Sequence, residues 1–202
     1  MTNSRMTNDE GMTKRECSSF VIRHSSFRAA SAFTLVELLV VMVIILILAG
    51  LILATSSYVQ KKGKRSRAEA EIAAISAALE NYKADNGVYP RDGVTDNLDV
   101  TTTTLSNYEA PSLKLYEYLS GDSDNNRAAE TKTYFPFKPT QLSPQDQTQA
   151  VTSIRDPFGN PYAYSTMKAS DPTKNGFNPT FDLWSIGDGA PGTNQTKWIK
   201  NW

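Results

Sequence analysis

The sequence predicts an α+β chain in which one long N-terminal helix, apolar in its first half and amphipathic in its second, packs on a small antiparallel β-sheet head. Three observations predict it. All ten prolines stand at Pro90 or later, so no proline interrupts a helix before that point. An unbroken apolar run is followed by apolar residues at spacings of three and four. The remainder alternates turn-forming proline, glycine and asparagine with short β-prone segments.

Composition narrows the function classes first. The 202 residues carry 21 basic and 21 acidic side chains, a balance that gives no net field for nucleic acid. The single cysteine, Cys17, and the single histidine, His24, both precede Phe33. If that segment is removed, what remains has no disulfide, no Cys/His zinc site and no Ser–His–Asp triad. This argues against an enzyme.

Residues 1–32 read as a polar leader. Arg5, Lys14, Arg15, Arg23 and Arg28 outweigh Asp9, Glu10 and Glu16, leaving about +2, and the leader lacks the apolar centre of an ordinary secretory signal. Met12 is an alternative start. The apolar run from Phe33 to Ala54 follows; its 22 residues would reach about 33 Å as a helix, enough to cross a bilayer core. No polar side chain interrupts it after Leu38, so a soluble core helix is the weaker reading. Basic residues ahead of the run keep the leader cytoplasmic, whereas Lys61, Lys62, Lys64, Arg65 and Arg67 just beyond it argue for the opposite orientation.

Residues 55–86 continue the helix. Ile72, Ile75, Leu79 and Tyr82 make one apolar stripe, and Arg65 with Glu69 and Arg67 with Glu71 are opposite charges one turn apart. Two readings are open for the basic run, a nucleic-acid or lipid-head-group patch and a solvated helix face partly paired to Glu69 and Glu71; the second is preferred, and no interleaved aromatics offer stacking to nucleic acid. Asn86-Gly87 and Pro90 end the helix. Residues 87–202 form the head, with a variable region at 91–153. Within it, 92–110 reads as loop, Pro111–Leu119 as a short helix with Leu115 and Leu119 inward, and 121–153 as a surface excursion with an apolar patch at Tyr134–Phe137. Strands are expected at Tyr162–Thr166 and Phe181–Ile186, burying Tyr162, Tyr164, Leu183 and Ile186 against the helix stripe.

Glu37 needs a reason. A carboxylate within an apolar span costs about 2.5–3.5 kcal/mol at mid-bilayer and less toward an interface. An interfacial acid is one reading. The other is a partner: a cut between Ala32 and Phe33 would create an α-ammonium four residues before Glu37, and in staggered helices the acid would pair with a neighbour's amine.

The segment Ala32-Phe33-Thr34-Leu35-Val36-Glu37-Leu38-Leu39-Val40-Val41 resembles the processing motif of the type IV pilin and type II secretion pseudopilin superfamily. The resemblance implies a type IV pilin-like fold, cleavage after Ala32 by a membrane prepilin peptidase, N-methylation of Phe33 and a docking role for Glu37. Ala32 stands where the family usually has glycine. Four further segments are similar to the G-type major pseudopilin: Ile72 to Pro90, Asp156 to Tyr164, Phe181 to Gly189, and the closing Asn201-Trp202. They imply a structural subunit of a periplasmic pseudopilus that supports protein export. Its partners would be copies of itself, the peptidase, an inner-membrane assembly platform and minor pseudopilins. The chain would sit in the inner membrane with its head in the periplasm.

A surface pilin used in adhesion, motility or DNA uptake is the alternative, and a membrane-tethered binding module that never assembles is a further one. The family resemblance also implies calcium in the C-terminal loop, with Asp188 and the Leu183 carbonyl as ligands. The later acid of that site is missing, since Thr196 and Trp198 occupy the corresponding positions. A Gly-Asp-Gly turn closing the sheet is the plainer reading.

Overall fold

The computed structural model describes residues 33–192 and 194–202. The long helix α1 spans Leu35–Asn86 without a break. Its first turn is capped reciprocally: Thr34 Oγ1 accepts from the Glu37 N–H at 3.2 Å, and the Glu37 carboxylate accepts from Thr34 N at 3.0 Å. This Thr-x-x-Glu pattern is a capping box. At the far end Gly87 takes the left-handed conformation (φ 78°) and its N–H returns to the Lys83 carbonyl at 2.8 Å.

Every large apolar side chain from Phe33 to Leu53 is exposed. A helix exposing such a run in water would forfeit about 25 cal/mol for every Å², so the exposure calls for a lipid or protein environment. It is the one helix among the described residues long and apolar enough to cross a membrane.

The polar half of α1 buries Ala68, Ile72, Ile75, Ala78 and Leu79. The helix α2 spans Glu109–Ser120, tolerates Pro111 in its first turn and ends at Gly121 (φ 76°). Leu115 and Leu119 are fully buried against the α1 stripe. The region expected to be loop, 92–110, holds two 3-10 turns, Thr95–Asn97 and Leu105–Tyr108, with Thr95 and Tyr108 buried.

Residues 121–153 are more than a surface excursion. Tyr134 and Phe135 donate their N–H groups to the Leu119 carbonyl at 2.8 and 2.9 Å. Strand β1 (Leu142–Ser143) pairs antiparallel with β2 (Ser153–Ile154), bringing Leu142, Val151 and Ile154 into the core. Two-residue strands are too short for a period-2 pattern to show in sequence.

The main sheet has the order β3 (Ala163–Ser165), β4 (Asp182–Ser185), β5 (Ile199–Lys200), all antiparallel, with Tyr164 opposite Leu183 and Ser185 opposite Ile199. The short helix α3 (Met167–Ser170) follows β3. Strand β5 was not foreseen. Alternation along β4 sends Leu183 to the α1 side and Trp184 to the other. Ile186 is buried as expected, but it lies with Trp184, Tyr108, Leu98, Val100 and Trp198 rather than with the α1 stripe. The sheet is therefore covered on both faces. Trp184 stacks on Trp198 at 5.7 Å and meets Tyr108 edge-on at 5.5 Å.

Candidate functional site

At the N-terminal end, Phe33 is 79% exposed and precedes the helix. Thr34 donates both its N–H and its hydroxyl to Oε2 of Glu37, each at 3.0 Å. The capping duty thus falls on one carboxylate oxygen and leaves Oε1 for another donor. The Thr-x-x-Glu spacing was a signal for this cap that the membrane reading of Glu37 had passed over. Ala32 and the leader 1–32 lie outside the described residues.

The C-terminal loop is built around Gly187-Asp188-Gly189. Gly187 has φ 60°, and a Cβ there would meet the Lys197 carbonyl at 3.0 Å, so only glycine fits. Upstream, Asp156 is buried and collects the N–H groups of Phe158 (2.9 Å) and Asn160 (2.8 Å) on one oxygen and the Ser185 hydroxyl on the other. Ser185 Oγ in turn accepts from Gly187 N at 2.9 Å, and Asn160 donates to the Gly187 carbonyl at 2.9 Å. The Asp-Pro-Phe-Gly-Asn-Pro turn therefore fixes both β4 and the loop after it. Burial pushes the Asp156 carboxyl above its ordinary value, against the pull of these donors. Asp182 caps Phe177 and Asn178, and Ser185 serves Asp156.

The basic run on α1 reaches the same loop. Arg65 donates to the carbonyls of Lys197 (3.0 Å) and Trp198 (3.3 Å) while pairing with Glu69 at 3.2 Å. Lys61 lies 3.7 Å and Lys197 3.8 Å from Oδ2 of Asp188. Arg67 binds Glu71 at 2.8 Å, and Glu71 also accepts from the Tyr162 hydroxyl at 2.8 Å. The two expected helix pairs are present, but Lys61 and Arg65 are committed to the head rather than to solvent alone.

The prokaryotic N-terminal methylation motif family matches residues 27–53. The type II secretion system core protein G of Pseudomonas aeruginosa is 30% identical over 177 residues, covering 87% of this chain and 96% of that protein. The chain belongs to the type II secretion core protein G family. The protein of the same name from Vibrio cholerae is 28% identical over 182 residues, covering 87% of this chain and 93% of its own. That of Aeromonas hydrophila reaches 41% over 63 residues, 31% of this chain and 44% of its own. No solved structure matches significantly. As a pseudopilin of this family, the chain has the pilin-like α+β arrangement described above, and its exposed apolar helix fits anchoring in the inner membrane.

Calcium takes about six to eight oxygen ligands, and two of them were expected from this loop. The Leu183 carbonyl accepts from Asn201 N at 3.2 Å within the sheet, and Asp188 stands between two ammonium groups.

A different acidic group was not singled out from the sequence, although its Asp-x-Asp-x-Asn spacing was legible there. Ligand oxygens of Asp122, Asp124 and Glu130 lie within 4.8 Å of one another. Donors of the same loop and of α2 satisfy them: Tyr116 Oη and Arg127 N on Asp122 (both 2.7 Å), Asn126 Nδ2 on Asp124 (2.9 Å), and Ser123 N on Glu130 (2.7 Å). These bonds account for the cluster as a self-capped turn.

Proposed function

We propose that this pseudopilin is a structural, non-catalytic subunit of a type II secretion pseudopilus. Its leader is cut after Ala32, Phe33 is N-methylated, and residues 33–54 hold the subunit in the inner membrane until it assembles. The leader faces the cytoplasm and the head, residues 87–202, lies in the periplasm. The subunit polymerises with copies of itself and with minor pseudopilins on an inner-membrane platform, and the filament supports protein export.

The observation that carries this reading is the conjunction at the helix start. The methylation motif lies over residues 27–53, and the one acid of the apolar run sits in the first turn with an oxygen to spare. An α-ammonium on a neighbour's Phe33 supplies the missing donor; pairing the two in low dielectric neutralises both and rewards one register. Closure of the C-terminal loop is assigned to Lys61, Arg65 and Lys197 instead of calcium.

The test is the mass of the N-terminal peptide from membranes with and without a prepilin peptidase. A peptidase-dependent start at Phe33, heavier by one methyl, is expected. An intact leader in both samples refutes the processing, and with it the filament.

A further inference from the structure

Between α1 and the Asp156–Pro161 turn lies a recess of about 440 Å³ lined by Tyr58, Lys61, Lys62, Arg65, Phe158 and Asp188. We infer that it binds the phosphodiester head group of an anionic phospholipid. The inference rests on the reading of residues 33–54 as a membrane span.

Charge is the first support. Lys61, Lys62, Lys64, Arg65 and Lys197 lie on or beside this wall with two carboxylates, Glu69 and Asp188. Asp188 in the wall weakens the site for an anion, but it is outnumbered. Lys62 has neither ion pair nor hydrogen bond among the described residues, and Lys64 lies 5.8 Å from the centre of the Phe158 ring. An isolated cation beside an aromatic wall suits a head group whose phosphate is charged and whose glycerol is not.

Depth is the second. At 1.5 Å per residue, Tyr58 lies about 6 Å, and Lys61 and Lys62 about 10–12 Å, beyond the last residue of the apolar run. The polar layer on each side of a bilayer core is about 5–8 Å thick, and lysine side chains bend toward it. Tyr58 is 70% exposed at the level where tyrosines anchor helices. The cations beyond the span, which oppose the expected orientation by charge, thereby have a use on that side of the membrane.

The full chain would be reconstituted into vesicles of phosphatidylcholine alone or of equal parts phosphatidylcholine and phosphatidylglycerol. It is then released into detergent and its bound lipids are counted by native mass spectrometry. Phosphatidylglycerol is expected in excess of its bulk share. Lys62→Gln, which touches nothing that holds the head together, should cut that excess about fivefold, the worth of one lysine at an anionic surface. Lys174→Gln, an exposed lysine elsewhere on the head, should leave it unchanged.

Lipids in the bulk ratio on the unaltered chain, or equal losses in the two variants, overturn the site. So does displacement of phosphatidylglycerol by inorganic phosphate, which would make the ligand a free anion. Cross-linking of Lys62 to a carboxylate of a second copy, with lipids in the bulk ratio, makes the recess a subunit contact instead. Flotation separates the two readings: a chain that fails to float with pure phosphatidylcholine vesicles faults the anchor. One that floats but gathers no excess phosphatidylglycerol faults only the recess.

Discussion

Ser112→Ala tests whether the variable region is part of the cooperative head. Ser112 is fully buried on α2. Its Oγ accepts from the Ile154 N–H at 2.9 Å and donates to the Ile154 carbonyl at 3.2 Å, tying β2 to α2. The carbonyl keeps a second donor, Tyr162 N at 2.9 Å, so alanine orphans chiefly the N–H. A buried unsatisfied N–H costs about 1–3 kcal/mol. Taking about 2 kcal/mol and about 2–4 °C per kcal/mol for a domain of this size, the melting point should fall by about 4–8 °C. The assay is thermal unfolding of the full chain in detergent, followed by near-ultraviolet circular dichroism of the buried tyrosines and tryptophans. Ser106→Ala, on the exposed side of the preceding turn, serves as control and should stay within about 0.5 kcal/mol. A Ser112→Ala shift no larger than the control's would mean that the β1–β2 hairpin unfolds separately or that water replaces the hydroxyl, and would refute the reasoning.

Glu37→Gln keeps an acceptor for the Thr34 cap while deleting the charge. Filaments should vanish from electron micrographs in both this variant and Glu37→Ala, and persistence in Glu37→Gln would reduce Glu37 to a cap. Tyr162→Phe removes a buried hydroxyl from the Glu71 carboxylate and should cost about 2 kcal/mol in urea unfolding; no change would mean that Arg67 alone satisfies Glu71. Asp156 holds its proton more tightly folded than unfolded, because burial raises its pKa above 3.8. Its contribution to stability is therefore full below 3.8 and declines as pH rises through the folded value. Relative to Asp156→Asn, the unaltered chain should lose stability over that rise in urea titrations at stepped pH, and parallel curves would contradict the assignment. Adding calcium or a chelator should leave the melting point unchanged, whereas a calcium-dependent rise would restore the metal to the loop.

The sequence by itself determined the parts whose physics is local. A helix is held by bonds four residues apart, so the absence of proline before Pro90, the Ile72–Tyr82 stripe and the Asn86-Gly87 stop were enough to set α1. The Ala32–Val41 motif likewise carries its meaning in ten adjacent residues. What the tertiary structure decided is everything held across long separations. Strands β1, β2 and β5 are two residues each, too short to show a pattern, and exist because distant partners complete them. Ile186 is buried on the far face because the 98–108 segment and Trp198 cover that face. The Asp156 turn became a hub only when Ser185, 29 positions away, met it. The basic run looked solvated until Arg65 found the carbonyls of Lys197 and Trp198, 132 and 133 positions on. Charge and periodicity state what a side chain prefers, but its partner across the chain is chosen by packing.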